Sequence, residues 1–428
     1  MTDVLHALPR SFHSGVHSGI TSVCSAHPIV IKSALLHGRD TRTPVLIEAT
    51  CNQVNQDGGY TGMTPADFRD FVFRIADEIG CPREQIILGG DHLGPNPWKD
   101  LPADEAMNKA EAMIVAYARA GFTKLHLDTS MGCAGEPVAL GDATTAARAA
   151  RLAAAAETLA MPVPPVYIIG TEVPVPGGAD HALDVIELTT ATSVATTIEV
   201  HRNAFLEQGL ADAFHRVIGV VVQPGVEFGH SDVIHFDAAK AKALSKSLGN
   251  HPNLVFEAHS TDYQTTANLR ALVNHGFAIL KVGPWLTYAL REALYGLDAI
   301  ADILDGQTPR NELMTAMETE MQSAPNNWAK YYSGSEAAQF FQRHYSLSDR
   351  IRYYWGTDGA KQAVDRVFTR LKHRKIPAPL ISQFLGGLSV QDDDPDAETV
   401  LIRAVQDVLV KYHAAIIGER DFIADYIR

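Results

Sequence analysis

The chain has 428 residues, 46% of them apolar, enough for one large barrel with an appendage or for two to three ordinary domains. Fifty acidic against 36 basic side chains leave a formal charge of −14 with no basic tract, which argues against a nucleic-acid binder or a protein held on an anionic membrane. No run reaches the roughly 18 uninterrupted apolar residues of a membrane span.

The N-terminus (MTDVLHALPRSFHSGVHSG) lacks the basic-then-apolar order of a secretory signal. Eight short β-branched or apolar runs follow, bounded by turn residues: Ile20–Cys24, Val45–Thr50, Gln85–Gly89, Lys124–Asp128, Val166–Thr171, Val217–Gln223, Leu254–Ala258 and Ala278–Val282. Helical stretches lie between most of them. Thr64-Pro65 before ADFRDFVFRIADEIG reads as an N-cap, a Pro at the first helical position, an amphipathic helix and a terminating Gly. Ala146 to Ala160 is an Ala-rich helix. Strand and helix in alternation predict a parallel sheet, and eight units predict its closure into a (β/α)8 TIM barrel over residues 1–300. Strand parity agrees: in Lys124-Leu125-His126-Leu127-Asp128 the leucines share one face and the charged set the other, as a barrel with a polar lumen requires. An open doubly wound sheet, apolar on both faces, is the second choice. Residues 301–428 read as a mostly helical C-terminal extension packed on the barrel, with Asp392–Asp396 as a break before a last helix from Ala397 to Ala415.

Reactive groups cluster where these strands end, which is where TIM barrels carry their chemistry. Asp91-His92, in GGDHLGP, pairs a proton-transfer group with a metal ligand, its two glycines allowing a tight turn; the plainer reading is a capping Asp and a packed His. Glu257-x-His259 places two groups on one strand face, as two ligands of one ion or as a ligand and its orienting carboxylate, or as a buried hydrogen bond with no metal. With His92 and His259 as ligands, the third is Glu172 in preference to Asp128. The imidazoles favour Zn²⁺, with Mn²⁺ or Co²⁺ as alternatives. Glu48 and Asp128 are acid/base or sugar-hydroxyl candidates, or structural carboxylates. Gln223 is placed to contact a hydroxyl or to shape its loop. Lys281-Val282-Gly283-Pro284 opens a helix at the last strand end, an anion site for which Ser260, Thr261 and Gly283 supply donors; a Schiff base on Lys281 is the competing reading. In YSLSDRIRYYW, Arg350 and Arg352 either clamp a phosphate over the mouth or belong to a capped helix start. Cys24, Cys51, Cys81 and Cys133 show no C-x-x-C spacing, so reduced thiols in a cytoplasmic protein are expected.

SVCSAHP, IEATCNQVNQDGGYTGMTPADFR, ILGGDHLGPN, GTEVPVPGG, VVQPGVEF, EAHSTDYQT, LKVGP and YSLSDRIRYYW together resemble the accessory (Z) subunit family of class II tagatose-1,6-bisphosphate aldolase over nearly the whole chain. The resemblance implies a TIM barrel and one of several labels: an accessory subunit of a separate aldolase chain, a tagatose-6-phosphate kinase, or a 4-epimerase of tagatose or tagatose 6-phosphate. The Gly-Asp-His segment also resembles the Asp-His pair of catalytic class II aldolases, implying a zinc-binding role for His92 and a proton-transfer role for Asp91. No G-x-x-x-x-G-K-[ST] loop supports the kinase label. A metal-dependent 4-epimerase has a chemical route: the C4 hydrogen of a 2-ketose is not acidic, so C3–C4 must break by retro-aldol cleavage and re-form. That route needs a Lewis acid at the ketone and a base for the C4 hydroxyl. The expected roles are metal binding by His92, His259 and Glu172, proton transfer by Asp91 with Glu48 or Asp128 as alternatives, and substrate binding by Gln223, Glu257, Ser260, Thr261, Lys281, Gly283 and Arg350. The expected partner is a ketohexose or its phosphate, and a homo-oligomer is the expected assembly.

Overall fold

A computed structural model describes residues 2–170, 186–386, 388 and 395–417. The strands are β1 (Ile20–Cys24), β2 (Val45–Thr50), β3 (Ile86–Leu93), β4 (Lys124–Leu127), β5 (Val166–Ile169), β6 (Val217–Val221), β7 (Glu227–Phe228), β8 (Val233–Ile234), β9 (Val255–Ala258) and β10 (Phe277–Val282). Eight of them close a parallel barrel in the order β1-β2-β3-β4-β5-β6-β9-β10, with β10 pairing back onto β1. Each expected strand is present. The short antiparallel pair β7–β8 after β6 is an addition that two-residue strands leave no sequence signal for.

Strand parity sets the barrel's two layers. On β2, Val45, Ile47 and Ala49 face the helices, while Leu46 and Glu48 face the lumen; Phe256 and Ala258 on β9, and Leu280 and Val282 on β10, likewise face outward. The lumen is itself stratified. Its lower tier is aliphatic, built from Ile20, Leu46, Ile87, Val166, Ile168, Ile218, Val255 and Ile279. Two residues further along several of the same strands come Glu48, Glu257 and Lys281. The polar lumen inferred from sequence is therefore its upper tier only. Helix Thr2–His13 closes the floor, burying Leu5 and Leu8 against the aliphatic tier.

The helix after β2 forms as its sequence dictates: Thr64 accepts the Asp67 N–H in a capping box, Pro65 occupies the first turn, and Gly80 ends it at φ 70°. The Ala-rich helix spans Asp142–Glu157. Helix Pro284–Leu304 runs across residue 300, so barrel and extension share it. The last helix, Ala397–Ile417, packs on helices Pro28–Thr41, Thr266–Asn274 and Pro284–Leu304. Most of the Asp392–Asp396 break lies outside the described residues, as does Glu172. No described helix is long and apolar enough to cross a membrane.

Candidate active site

β3 does not stop at Gly89 as expected but continues through Asp91 and His92 to Leu93. Gly90 pairs with Leu125 and Leu93 with Leu127, so Asp91 and His92 together oppose the single residue His126. This is a bulge, a device that bends a strand and re-aims its side chains. His92 takes φ 49°, the left-handed conformation rare for a non-glycine residue. The preceding glycines serve packing rather than a turn. A Cβ on Gly89 would lie 2.6 Å from Glu48 Oε1, and one on Gly90 would lie 2.5 Å from Leu93 Cδ1.

Three imidazoles meet at this level: ring centroids are 4.9 Å apart for His92–His259, 5.1 Å for His92–His126 and 5.3 Å for His126–His259. Each is backed by a carboxylate. His92 Nδ1 lies 2.8 Å from Asp128 Oδ2, His126 Nδ1 2.9 Å from Asp91 Oδ1, and His259 Nε2 2.8 Å from Glu257 Oε1. An ionised carboxylate only accepts, so the nitrogens of His92 and His259 that face one carry a hydrogen, and His92 Nε2 and His259 Nδ1 point away. His126 Nδ1 stands between Asp91 and the His92 backbone N–H, which donates to it at 3.2 Å. His126 Nε2 is buried without a partner. Imidazoles turned by carboxylates are the usual arrangement of metal-binding histidines. The tightest four-donor group is Asp91, His126, Glu257 and His259, with ligand atoms within 4.8 Å of one another and His92 at its edge. His126 was quoted in the sequence but given no role, although its alternation with Lys124 already placed it on the lumenal face.

Beneath the imidazoles lies a buried ionic layer. Lys124 Nζ is 2.6 Å from Glu48 Oε1 and 2.7 Å from Glu257 Oε2, all three side chains being fully enclosed. Lys281 Nζ contacts Glu48, Asp91 Oδ1 at 2.8 Å and Glu257 Oε1 at 3.5 Å. Burial opposes charge on Lys281, but Asp91, Glu48 and Glu257 outweigh it and hold the ammonium well above the ordinary lysine range. An amine ion-paired to Glu48 and Asp91 is a poor nucleophile, which tells against the Schiff-base reading. The same ammonium also fills the second acidic cluster, Cys24–Glu48–Asp91. Burial likewise opposes ionisation of Asp91, yet His92, Lys281 and the His126 hydrogen bond keep its carboxyl well below the usual range. Burial, aided by Lys281 and against the pull of Glu257 and Asp91, takes His259 down to about 3, leaving it neutral. Asp128, despite burial, is held near about 2 by His92. Four carboxylates (Glu48, Asp91, Asp128, Glu257) thus crowd around two ammoniums and the His92 imidazole, whose pKa Asp91 and Asp128 raise above the ordinary value despite burial.

Other expected contacts are already engaged within the chain. Glu48 is fully buried in the ionic layer, beyond the reach of a sugar hydroxyl. Gly283 N–H and Trp285 N–H both donate to Asp262 Oδ1, at 3.0 and 2.8 Å, so the chain's own carboxylate fills the anion site expected at that helix start. Thr261 Oγ1 donates to Lys281 O and meets Tyr412 Oη at 3.0 Å. Ser260 turns at φ 52° beside it. Gln223 Oε1 accepts the Gly225 and Val226 N–H groups, which makes it a loop former. Arg350 is buried, its guanidinium 3.1 Å over the Tyr331 ring and donating to Asn327 O.

The profile of the D-tagatose-1,6-bisphosphate aldolase subunit GatZ/KbaZ-like family matches residues 5–417. The chain belongs to this family. A curated relative from Agrobacterium fabrum (strain C58 / ATCC 33970), named D-tagatose 6-phosphate 4-epimerase, is 53% identical over 97% of this chain and 99% of its own. A crystal structure of a probable tagatose 6 phosphate kinase from Sinorhizobium meliloti 1021 superposes with a TM-score of 0.87 at 60% identity, covering 93% of this chain and all of that one. All four cysteines of the GatZ/KbaZ-like chain are free.

Proposed function

We propose that this GatZ/KbaZ-like chain is a metal-dependent 4-epimerase that interconverts tagatose 6-phosphate and fructose 6-phosphate. The observation that carries the reading is the trio of carboxylate-backed imidazoles over a carboxylate-rich lumen; the name of the Agrobacterium relative supports the sugar. His126 and His259, with His92, are the donors that would hold a divalent cation, Zn²⁺ by preference for imidazole. When bound, the cation supplies Lewis-acid polarisation of the C2 ketone.

The chain's own residues manage the proton. Asp91 Oδ1 is committed to Lys281 and His126, whereas Oδ2, 3.6 Å from His92 Nε2, meets only the weak Cys24 thiol donor at 3.9 Å. Asp91 Oδ2 takes the C4 hydroxyl proton as the C3–C4 bond breaks, giving glyceraldehyde 3-phosphate and a three-carbon enediolate. Rotation of the aldehyde and return of the same proton on re-addition invert C4. Lys281 keeps Asp91 ionised between turnovers. Asp128 and Glu257 act as positioning residues through His92 and His259.

The test is incubation of the purified chain and Zn²⁺, Mn²⁺ or Co²⁺ with fructose 6-phosphate, following tagatose 6-phosphate and triose phosphate. Conversion should vanish with chelator and in His126→Ala. Inactivity with every ion, together with activation of a separate aldolase chain on mixing, would transfer the assignment to the accessory-subunit reading that the family's name favours. The kinase name of the Sinorhizobium structure finds no counterpart in a G-x-x-x-x-G-K-[ST] loop here.

A further inference from the structure

The anion site expected beside Gly283 is closed by Asp262, so a phosphorylated substrate needs another cation. Arg350 is spent on Tyr331 and Asn327. Arg352, two residues on in the short helical turn Arg350–Tyr354, is placed differently. Its Nη1 donates to Ser348 O at 2.5 Å and Asp349 O at 3.0 Å, and its Nη2 donates to Tyr353 Oη at 2.9 Å. Those bonds use three of its five N–H groups. The Nε–H and the second Nη2–H have no partner among the described residues, and no carboxylate there comes within the 4.0 Å of an ion pair. A half-buried guanidinium held this way is fixed in position but not neutralised. Of the other enclosed arginines, Arg291 and Arg343 face Asp349 and Glu318, and Arg350 is covered by the Tyr331 ring.

Its surroundings place it over the carboxyl ends of the barrel strands. Burial raises the Asp262 pKa, and Arg352 lies near enough to oppose it; Asp262 lies in the loop after β9 and caps the helix after β10. On the other side the Tyr353 ring, 4.4 Å under the guanidinium, meets Tyr60 edge-on at 5.0 Å. Tyr60 belongs to the loop after β2, pinned by its own N–H to Asn52 O and by Thr61 Oγ1 to Gln53 O. It remains 45% exposed. The extension therefore spans from β9 and β10 across to β2, carrying a guanidinium with no carboxylate within ion-pair distance among the described residues and, beside it, the Tyr60 phenol, which also meets the Gln53 side chain; both are hydrogen-bond donors to an anion.

We propose that Arg352, with Tyr60, is the subsite that takes the phosphate of the ketohexose 6-phosphate and so selects the phosphorylated sugar over the free one. This rests on the sugar-phosphate reading above. A guanidinium making charge-assisted bonds to phosphate contributes roughly 10- to 100-fold in affinity.

Calorimetric titration of the full chain with fructose 6-phosphate, fructose and inorganic phosphate, in wild type and Arg352→Gln, tests it. Fructose 6-phosphate should weaken about 10- to 100-fold while fructose is unchanged, and inorganic phosphate should displace fructose 6-phosphate from wild type only. Tyr60→Phe should weaken the phosphorylated sugar in the same direction by less. If Arg352→Gln loses its circular dichroism signal, Arg352→Lys carries the test, because it keeps a cation against the two carbonyls but loses the planar fork; the ratio of the two sugars' affinities should still fall. An unchanged ratio in the folded variant, or no binding of fructose 6-phosphate to wild type, overturns the subsite. The two readings separate cleanly. A wild-type chain that binds fructose 6-phosphate through Arg352 but never epimerises it refutes the function and leaves the subsite. A chain that epimerises it with a KM indifferent to Arg352 refutes the subsite and leaves the function.

Discussion

Replacing Lys124 by Met keeps the length of the side chain and deletes one positive charge from the closed ionic layer. Lys124 lies 2.6 Å from Glu48 and 2.7 Å from Glu257, and none of the three side chains is exposed. In Lys124→Met, Glu48 keeps Lys281 and the weak Cys24 thiol donor, while Glu257 keeps Lys281 at 3.5 Å and His259. The lumen becomes more negative by one charge. Removing one partner of a buried pair destabilises by roughly 3–5 kcal/mol, a large part of the roughly 5–15 kcal/mol that holds a domain together. Lys124→Met/Glu257→Gln restores the original balance, so its loss should fall short of the sum of the single variants by about 1–3 kcal/mol. Urea unfolding in chelator, followed by far-UV circular dichroism, reads all four proteins of the cycle. A Lys124→Met stability within about 0.5 kcal/mol of wild type, or strict additivity across the cycle, would refute the claim that this layer is a coupled ionic unit.

Four further outcomes are expected. His126→Ala should lower the zinc bound per purified chain, read by elemental analysis, at least as much as the roughly 10- to 100-fold that follows loss of an outer-shell partner, with the far-UV spectrum unchanged. Gly90→Ala drives a Cβ to 2.5 Å from Leu93 Cδ1 and 2.9 Å from Tyr117 Cδ1, and should lower unfolding free energy by about 1–3 kcal/mol. Leu5→Ala, at a fully buried position in the floor, should cost about 2–5 kcal/mol in the same measurement. Burial raises the Asp262 pKa to about 6, so the folded state prefers its protonated form; that contribution is fully present below about pH 4 and lost as pH rises through about 6. Asp262→Asn should therefore flatten the fall in stability between those values, which amounts to at most about 3 kcal/mol in wild type, as followed by urea midpoints across pH.

The architecture was legible because barrel strands announce themselves twice, by short apolar runs and by the parity of what accompanies them. All eight strands fall where the sequence places them, and Lys124-Leu125-His126-Leu127 shows why: its inward and outward sets differ in chemistry as well as position. The acidic and imidazole groups at strand ends were legible for the same reason. What escaped is non-local. Nothing in GGDHLGP says that the strand continues and bulges, since the bulge exists only relative to His126 on the next strand. Asp262 looks like a free loop carboxylate until β10 and its helix are set beside it, where it accepts the Gly283 and Trp285 amides. Arg350 and Arg352 are indistinguishable in sequence; only the packing of Tyr331 against one of them separates their fates.

The floor helix has a consequence for biosynthesis. Helix Thr2–His13 is synthesised before every barrel strand, yet it docks on β5, β6 and β9. Its seat does not exist until residue 258 has been made. Leu5 and Leu8 must therefore travel as exposed apolar groups through most of the barrel's synthesis, and contacts this distant in sequence form late because the loop they close carries a large entropy loss. A helix made ahead of the whole barrel is thus among the last of its parts to settle.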